Sequence, residues 1–416
     1  MSSSTTLAPL FEPLKLGSLS LRNRVVMSAL TRNRSLPDTV PNSLNVEYYR
    51  QRARGGAGLI LTEGTLITPQ GSEWPYAPGI WSEEQVNGWK KVTSAVHEEG
   101  SLMFCQLWHL GRVSHPDAPE QKKAGVPVYA PSAIAARGGN FRFLEGGPGY
   151  VTPTEIDDPL KLIELFKKAA RNAKKAGFDG VELHGANGYL VHQFLDSTSN
   201  KRTDKWGGSV ENRCKFGLET LKALIEIWGA NRVAIKISPT GGYNDMGMPL
   251  EETLETYRHF LSEVDKLKLA YICVARYSDL TDPVFDGQKR GIPHDVVESY
   301  RPSVKSTRFF INGGVSPDEG AQFIADGKAD AIVFGFLHIG HPDLAKRIKY
   351  GKALHPEATQ FTKFYGFEGT LEEQAAGYTD YPEEKYDDIP AGKTNSSMFG
   401  QVNKKFRNLR KRLTLS

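Results

Sequence analysis

A histidine, an asparagine and a tyrosine stand together in one short stretch, His184-Gly185-Ala186-Asn187-Gly188-Tyr189. It follows Gly180-Val181-Glu182-Leu183, an apolar run opened by glycine that reads as a buried strand. His184 and Asn187 can both donate hydrogen bonds, and two donors at a strand end can polarise a carbonyl and stabilise the charge that develops on its oxygen. Tyr189 is a phenol and can deliver the proton such a reaction needs. Taken alone, these residues read first as structural hydrogen-bonders, the commoner use of histidine and asparagine after a strand. What raises their weight is the scaffold that would position them.

Apolar, β-branched runs of strand length recur at residues 24–30, 58–64, 102–108, 180–184, 233–238, 270–275, 308–313 and 330–335. Bounded by turn residues, such runs read as parallel strands buried on both faces. Helical patterns alternate with them. The clearest spans 157–175, where Leu162, Phe166, Ala169, Ala170 and Ala173 share one face and Gly177 supplies a stop. Others span 83–98, 211–228, 250–267, 317–325 and 342–350, with shorter ones at 45–54 and 294–300. This alternation predicts an α/β fold, a (β/α)8 TIM barrel with insertions. A doubly wound sheet is the alternative; no GxGxxG follows the first strand to support it.

Three segments fall outside the barrel period. Residues 110–154, between the third and fourth strands, are too long for a simple connection and rich in glycine and proline. With β-like pieces at 126–129 and 140–143 they predict a cap over the barrel mouth, which residues 277–291 could also line. Past Lys352 the aromatic, glycine-rich stretch 361–378 is expected to fold back over the site. Residues 1–385 are thus expected to form a single domain and 386–416 a C-terminal tail.

Composition narrows the function class. Hydrophobic residues make up 39% and charged residues 24% of the 416, as in ordinary soluble domains. No apolar run approaches the roughly 20 residues of a membrane span, and the N-terminus lacks the pattern of a secretory signal. The net charge of +4 comes from the tail, where Lys404, Lys405, Arg407, Arg410, Lys411 and Arg412 carry no acidic neighbours; without those six, 46 basic residues face 48 acidic ones. The body therefore shows no bias toward nucleic acid. Val402, Phe406, Leu409 and Leu413 recur at helical spacing in the tail. A basic amphipathic helix can lie on an acidic membrane surface, but a solvated or locally packed tail is the first expectation. Cys105, Cys214 and Cys273 form neither a disulfide framework nor a metal cluster, so no metal is expected and a reducing, cytoplasmic setting is.

In a barrel of this kind chemistry gathers at the C-terminal strand ends. Here those ends carry Ala29 and Thr31, Gly64, Gln106, His184 and Asn187, Lys236, Gly313 and Gly314, and Gly335. No hydrolase arrangement is among them. Gln106 can donate and accept at once, as an imide edge requires. Lys236 offers a positive charge beside such a ring, and the glycines after strands seven and eight suit a phosphate held by backbone N–H groups. Jointly they argue for flavin mononucleotide (FMN).

The sequence resembles the Old Yellow Enzyme family of FMN-dependent ene-reductases across residues 7–385. The resemblance is carried by Phe11-Glu-Pro-Leu-Lys-Leu-Gly17, Arg24-Val-Val-Met-Ser-Ala-Leu-Thr-Arg32, Leu61-Thr-Glu-Gly64, Ala77-Pro-Gly-Ile-Trp-Ser82 and Gln106-Leu-Trp108. The longest match is Gly180-Val-Glu-Leu-His-Gly-Ala-Asn-Gly-Tyr-Leu190, continued by Gln193-Phe-Leu195, Asn200-Lys-Arg-Thr-Asp204 and Gly207-Gly-Ser-Val-Glu-Asn-Arg213. Phe364-Tyr365 and Gly377-Tyr-Thr-Asp-Tyr-Pro382 close it.

The resemblance implies that Thr31 tunes the flavin, that Ala29 and Gly64 pack it by backbone, that Gln106 holds its pyrimidine edge and that Lys236 stabilises negative charge on it. It implies that His184 and Asn187 clamp the carbonyl oxygen of an α,β-unsaturated substrate, that Tyr189 protonates the α-carbon, and that Tyr365 and Trp108 shape the pocket. NADPH would reduce FMN, whose N5 would then pass hydride to the β-carbon. An isomerase or reductase of one biosynthetic intermediate, or a flavin-binding protein without turnover, are the alternatives; a homodimer is left open.

One position departs from the pattern. The family reads Gly-Arg after strand eight, the arginine binding the FMN phosphate, where this chain has Gly335-Phe336. A lost charge-assisted contact of about 1.5–3 kcal/mol would weaken FMN binding about tenfold to a hundredfold unless another group replaces it. His338 is the nearest candidate in sequence.

Overall fold

Eight parallel strands close on themselves in the computed structural model, which describes residues 6–386. They are Val25–Met27, Leu59–Leu61, Leu102–Trp108, Gly180–Gly185, Val233–Ile237, Tyr271–Ala275, Arg308–Asn312 and Ala331–Phe334. Each lies within one of the apolar runs read from the sequence, give or take a terminal residue. The first strand pairs with the last, Ile332 opposite Val25 and Phe334 opposite Met27, so the sheet has no free edge and is a barrel, not a doubly wound sheet.

The helices form the outer layer. Glu83–Glu98 and Pro317–Ala325 have the bounds the sequence predicts; Leu160–Lys175 and Leu344–Tyr350 begin two or three residues later than expected. Serine caps open several of them: Ser82, Ser209 and Ser316 each accept a hydrogen bond from the backbone N–H three residues on.

An N-terminal hairpin escaped the sequence reading. Leu14–Leu16 and Leu19–Leu21 form an antiparallel hairpin turned by Gly17 at φ 57°. Its four leucines alternate inward and pack with Val26, Phe104 and Phe310 in the barrel interior. Lys15 O accepts from Arg308 Nε at 3.3 Å, and Gly17 lies against Asn231, just ahead of the fifth strand. The hairpin therefore plugs the N-terminal end of the barrel and leaves the C-terminal end open for chemistry.

The cap needs one correction. Residues 140–143 form a turn, with Leu144 N–H donating to Phe141 O at 2.9 Å, because the surrounding Gly138, Gly139, Gly146 and Gly147 all take positive φ. The cap holds the short helix Pro119–Ala124 and the strand Tyr129–Ala130, paired with Thr154–Glu155. Residues 277–291 contain a hairpin, Val284–Phe285 with Gln288–Lys289, turned by Asp286-Gly287. Asp245 ties these pieces together: its Oδ1 accepts from Arg137 of the cap and from Arg290 beyond the hairpin, each at 2.8 Å. Burial alone would raise the Asp245 carboxyl, yet the hydrogen bonds from Arg137 and Arg290 hold it below its ordinary value.

Among the described residues no helix is long and apolar enough to cross a membrane. The basic tail lies outside the described residues. Replacing Leu16, fully buried in the plug, by alanine should destabilise the protein by about 2–5 kcal/mol. Urea unfolding followed by circular dichroism should show a lower midpoint with an unchanged slope.

Candidate active site

Strand four delivers His184 to the open end of the barrel, and the chain then turns sharply. Asn187 at φ 56° and Gly188 at φ 72° are both left-handed. A Cβ on Gly188 would stand 2.6 Å from Asn244 Cβ and 2.8 Å from Tyr243 O, so only glycine fits. The Asn187 backbone is pinned on both sides, its N–H donating to Ser238 Oγ at 2.8 Å and its carbonyl accepting from Asn244 Nδ2 at 2.9 Å. Gln193 braces the turn by donating to Gly188 O at 2.8 Å and to Leu110 O, where the cap begins, at 2.9 Å.

This turn brings the catalytic candidates together. The Tyr189 ring meets His184 edge-on at 4.8 Å and Trp108 edge-on at 5.0 Å, and Trp108 lies 6.5 Å from His184 in a stacked arrangement. His184 Nδ1 accepts the Ala186 N–H at 3.3 Å, which leaves Nε2 to carry the ring proton. Burial, then the nearby Lys236 and His192, push the His184 pKa well below its ordinary value, so the ring is neutral. Burial also pushes the Tyr189 phenol well above its ordinary value, reinforced by Tyr243 and Tyr150, so it keeps its proton.

Beneath them lies a polar floor. Lys236 stands opposite His184 on the adjacent strand and is 7% exposed. Gln106 Nε2 donates to Glu182 Oε1 at 2.7 Å, and Tyr271 OH donates to Glu182 Oε2 at 2.8 Å. A carboxylate only accepts, so this contact fixes which end of the Gln106 amide is which. Burial raises the Glu182 carboxyl, and Lys236, Gln106 and Tyr271 oppose that rise. Gly64 lies flat against the Trp108 indole, where a Cβ would come within 2.8 Å of the ring. Ala29 packs on the barrel interior, and Thr31 directly precedes Arg32, whose N–H is held by Glu63 Oε2 at 3.0 Å. Tyr365 stacks on Trp74 at 5.4 Å, and Trp74 lies 6.3 Å from Trp108.

The glycines lie on neighbouring strands. Gly313 and Gly314 take φ 101° and 64° after strand seven, and Gly335 follows strand eight. Around Gly314 a Cβ would meet nothing within 4 Å, and at Gly335 its nearest neighbour would be Leu30 at 3.7 Å. These open backbone turns leave room for an anion. Phe336 does not face them with charge; it packs edge-on against Phe361 at 5.7 Å and Phe364 at 5.8 Å. His338 does not supply the missing cation. It is 1% exposed, its Nδ1 is taken by Phe334 O at 3.1 Å, and burial pushes its pKa down to about 3, so it is neutral.

The sequence reading missed Glu182, Ser238, Trp74, Tyr150 and Tyr243. Glu182 was legible as a charged residue inside an apolar strand. The aromatic residues come from loops whose meeting no local pattern announces.

The residues present fit a flavin mononucleotide. A buried lysine without an ion-pair partner among the described residues, an amide locked in one orientation, an unpartnered Trp108 indole N–H and open glycine turns meet a flat polar ring with a phosphate at one end. Comparison with known proteins agrees. The pattern of the NADH:flavin oxidoreductase / NADH oxidase family matches residues 9–355. The NADP-dependent oxidoreductase lnbE of Aspergillus flavus is 38% identical over 383 residues, covering 90% of this chain and 96% of its own. Morphinone reductase in complex with tetrahydroNAD superposes with a TM-score of 0.78 at 38% identity, covering 92% of this chain and 99% of that one. The old yellow enzyme homologue from Zymomonas mobilis gives 0.79 at 34% identity, covering 90% and 99%. With a closed barrel, a strand-end site built for a flavin, and full-length similarity to flavin oxidoreductases, this chain belongs to the Old Yellow Enzyme family of FMN-dependent oxidoreductases, which draw on a nicotinamide reductant.

Proposed function

We propose that this protein is an NADPH-dependent ene-reductase acting on an α,β-unsaturated carbonyl compound. The observation that carries this reading is the meeting of a neutral His184, a conformationally pinned Asn187 and a protonated Tyr189 in one aromatic pocket above Gln106 and Lys236. When bound, FMN would supply the hydride chemistry that connects a nicotinamide reductant to the electron-poor carbon.

The protein's own groups do the rest. His184 Nε2–H and the Asn187 side-chain amide donate to the carbonyl oxygen and stabilise the negative charge that gathers there. A neutral imidazole is a donor that holds its proton rather than surrendering it to the enolate oxygen. Tyr189 donates to the α-carbon; its raised pKa keeps the phenol intact at neutral pH. Lys236 places positive charge beside the ring, and Gln106, oriented by Glu182, meets the pyrimidine edge. Ala29, Thr31 and Gly64 pack the ring, Trp108 and Tyr365 wall the substrate pocket, and the N–H groups at Gly313, Gly314 and Gly335 hold the phosphate. The preference for NADPH rests on the NADP-dependent relative. A cytoplasmic setting rests on three buried free cysteines.

Two expectations test this reading. Tyr189→Phe should slow substrate reduction by about 10²–10⁴-fold while leaving flavin reduction by NADPH within about twofold. Stopped-flow absorbance separates the two half-reactions, and equal slowing of both would remove Tyr189 from the proton step. Because the His184 pKa is lowered, its protonation lies at the acid side of the ordinary range. The rate of enone reduction should therefore show no ionisation attributable to His184 at the ordinary histidine value of about 6.5. A His184 ring signal that titrates at that ordinary value by NMR would contradict the neutral-donor role.

A further inference from the structure

Phe336 leaves the FMN phosphate without the arginine that the family pattern places after strand eight. The cations on that side of the turn are committed elsewhere. Arg52 is buried and donates to Ile339 O at 2.8 Å and to His338 O at 3.2 Å. Arg347 is held by Asp343 at 2.6 Å. His341 accepts the His355 N–H at 2.9 Å on Nε2, and burial pushes its pKa to about 4.

The other flank of strand seven differs. Strand six ends at Ala275, paired with Asn312, and the next residue is Arg276, whose N–H donates to Asn312 O at 2.8 Å. Gly313 then turns directly against it: a Cβ there would lie 3.2 Å from Arg276 N and 3.4 Å from Arg276 Cβ. The Arg276 guanidinium reaches Glu319 Oε1 at 2.8 Å. Glu319 lies in the first turn of Pro317–Ala325, the helix that begins three residues after Gly314. The side chain thus starts beside Gly313 and ends beside the helix that follows the glycine turn, alongside the backbone that would cradle the anion. Both partners are about one-third exposed, at 34% and 36%, so their ion pair is weak and readily exchanged. A planar guanidinium pairing two oxygens of a phosphate is the stronger contact.

We propose that Arg276 is the cation of the FMN phosphate site. The charge after strand eight has moved across strand seven to the end of strand six, and Glu319 holds the guanidinium in reserve beside the glycine turn.

The test compares two ligands on the deflavinated full-length protein. FMN and riboflavin share the ring and ribityl chain and differ in the phosphate, and binding of each is followed by quenching of flavin fluorescence. Arg276→Gln should weaken FMN binding by about tenfold or more and leave riboflavin within about twofold. Adding Phe336→Arg to that variant should recover FMN affinity. Arg276→Met, which keeps the aliphatic stem and its packing, should repeat the selective loss and serves if the glutamine variant folds poorly. Unchanged FMN affinity in both variants, or equal loss of both ligands, would overturn the assignment. The readout is affinity, so it stands apart from whether an enone is reduced.

Discussion

The carboxylate of Glu63 is the fixed point on which the walls of this site hang. It is wholly buried and accepts the N–H groups of Arg32 and Asn33 at 3.0 and 2.8 Å, while its own N–H donates to the Tyr49 hydroxyl oxygen at 2.8 Å. The two arginines that flank Asn33 then reach across the molecule. Arg32 donates to Phe364 O at 2.8 Å and Gly377 O at 2.6 Å; Arg34 donates to Phe364 O at 3.0 Å and Gln374 O at 2.9 Å. Burial raises the Glu63 carboxyl and lowers Arg34 to about 10, the signature of charges kept from water and held by hydrogen bonds instead. Removing one partner of such a set typically costs about 3–5 kcal/mol because the others stay buried and unpaired. The geometry explains why the site needs it. Thr31 precedes Arg32 and Tyr365 follows Phe364, so one buried network positions two candidate site residues that are more than three hundred positions apart in sequence.

Asp245 and Glu182 apply the same device elsewhere. Asp245 joins the cap to the loops after strands five and six through Arg137 and Arg290. Glu182 joins strands three, four and six beneath the proposed ring site through Gln106 and Tyr271. A loop built mainly of glycine, proline and turns has little packing of its own to hold it. Carboxylates that collect donors from remote segments convert such loops into rigid walls, and preorganised donors are what a developing oxyanion requires.

The parts of the molecule legible in the sequence are those with a period or a fixed offset. Buried parallel strands are continuous apolar runs, so all eight were readable; His184, Asn187 and Tyr189 were readable because their spacing follows one strand end. The plug hairpin was not read because its two strands are only three residues each, Leu14–Leu16 and Leu19–Leu21, too short to show a period. The turn at 140–143 looked like a strand because Phe141 and Phe143 alternate with polar residues; clustered positive-φ glycines decided otherwise. Arg32 and Arg34 were visible as residues, but their work is to hold carbonyls from the far end of the chain, and nothing local records that. Trp74, Tyr150 and Tyr243 belong to the same class, since their meeting depends on three loops closing over one barrel.

The two ends of the proposed cofactor site therefore tolerate change differently. At the ring end Gln106 is tied to Glu182, Glu182 to Tyr271, and all three are buried, so altering any one strands the others. At the proposed phosphate end the turn at Gly314 is open, and Arg276, which packs against Gly313, is partly exposed and loosely paired. A phosphate needs positive charge within reach more than it needs one particular direction of approach, because its oxygens accept from several sides. Strand seven can be approached from strand six as well as from strand eight, since the barrel places a neighbour on each flank. An aromatic cluster can then form around Phe336 and pack the returning C-terminal segment through Phe361 and Phe364, and the arginine position is free to serve packing once the charge is supplied from the other side.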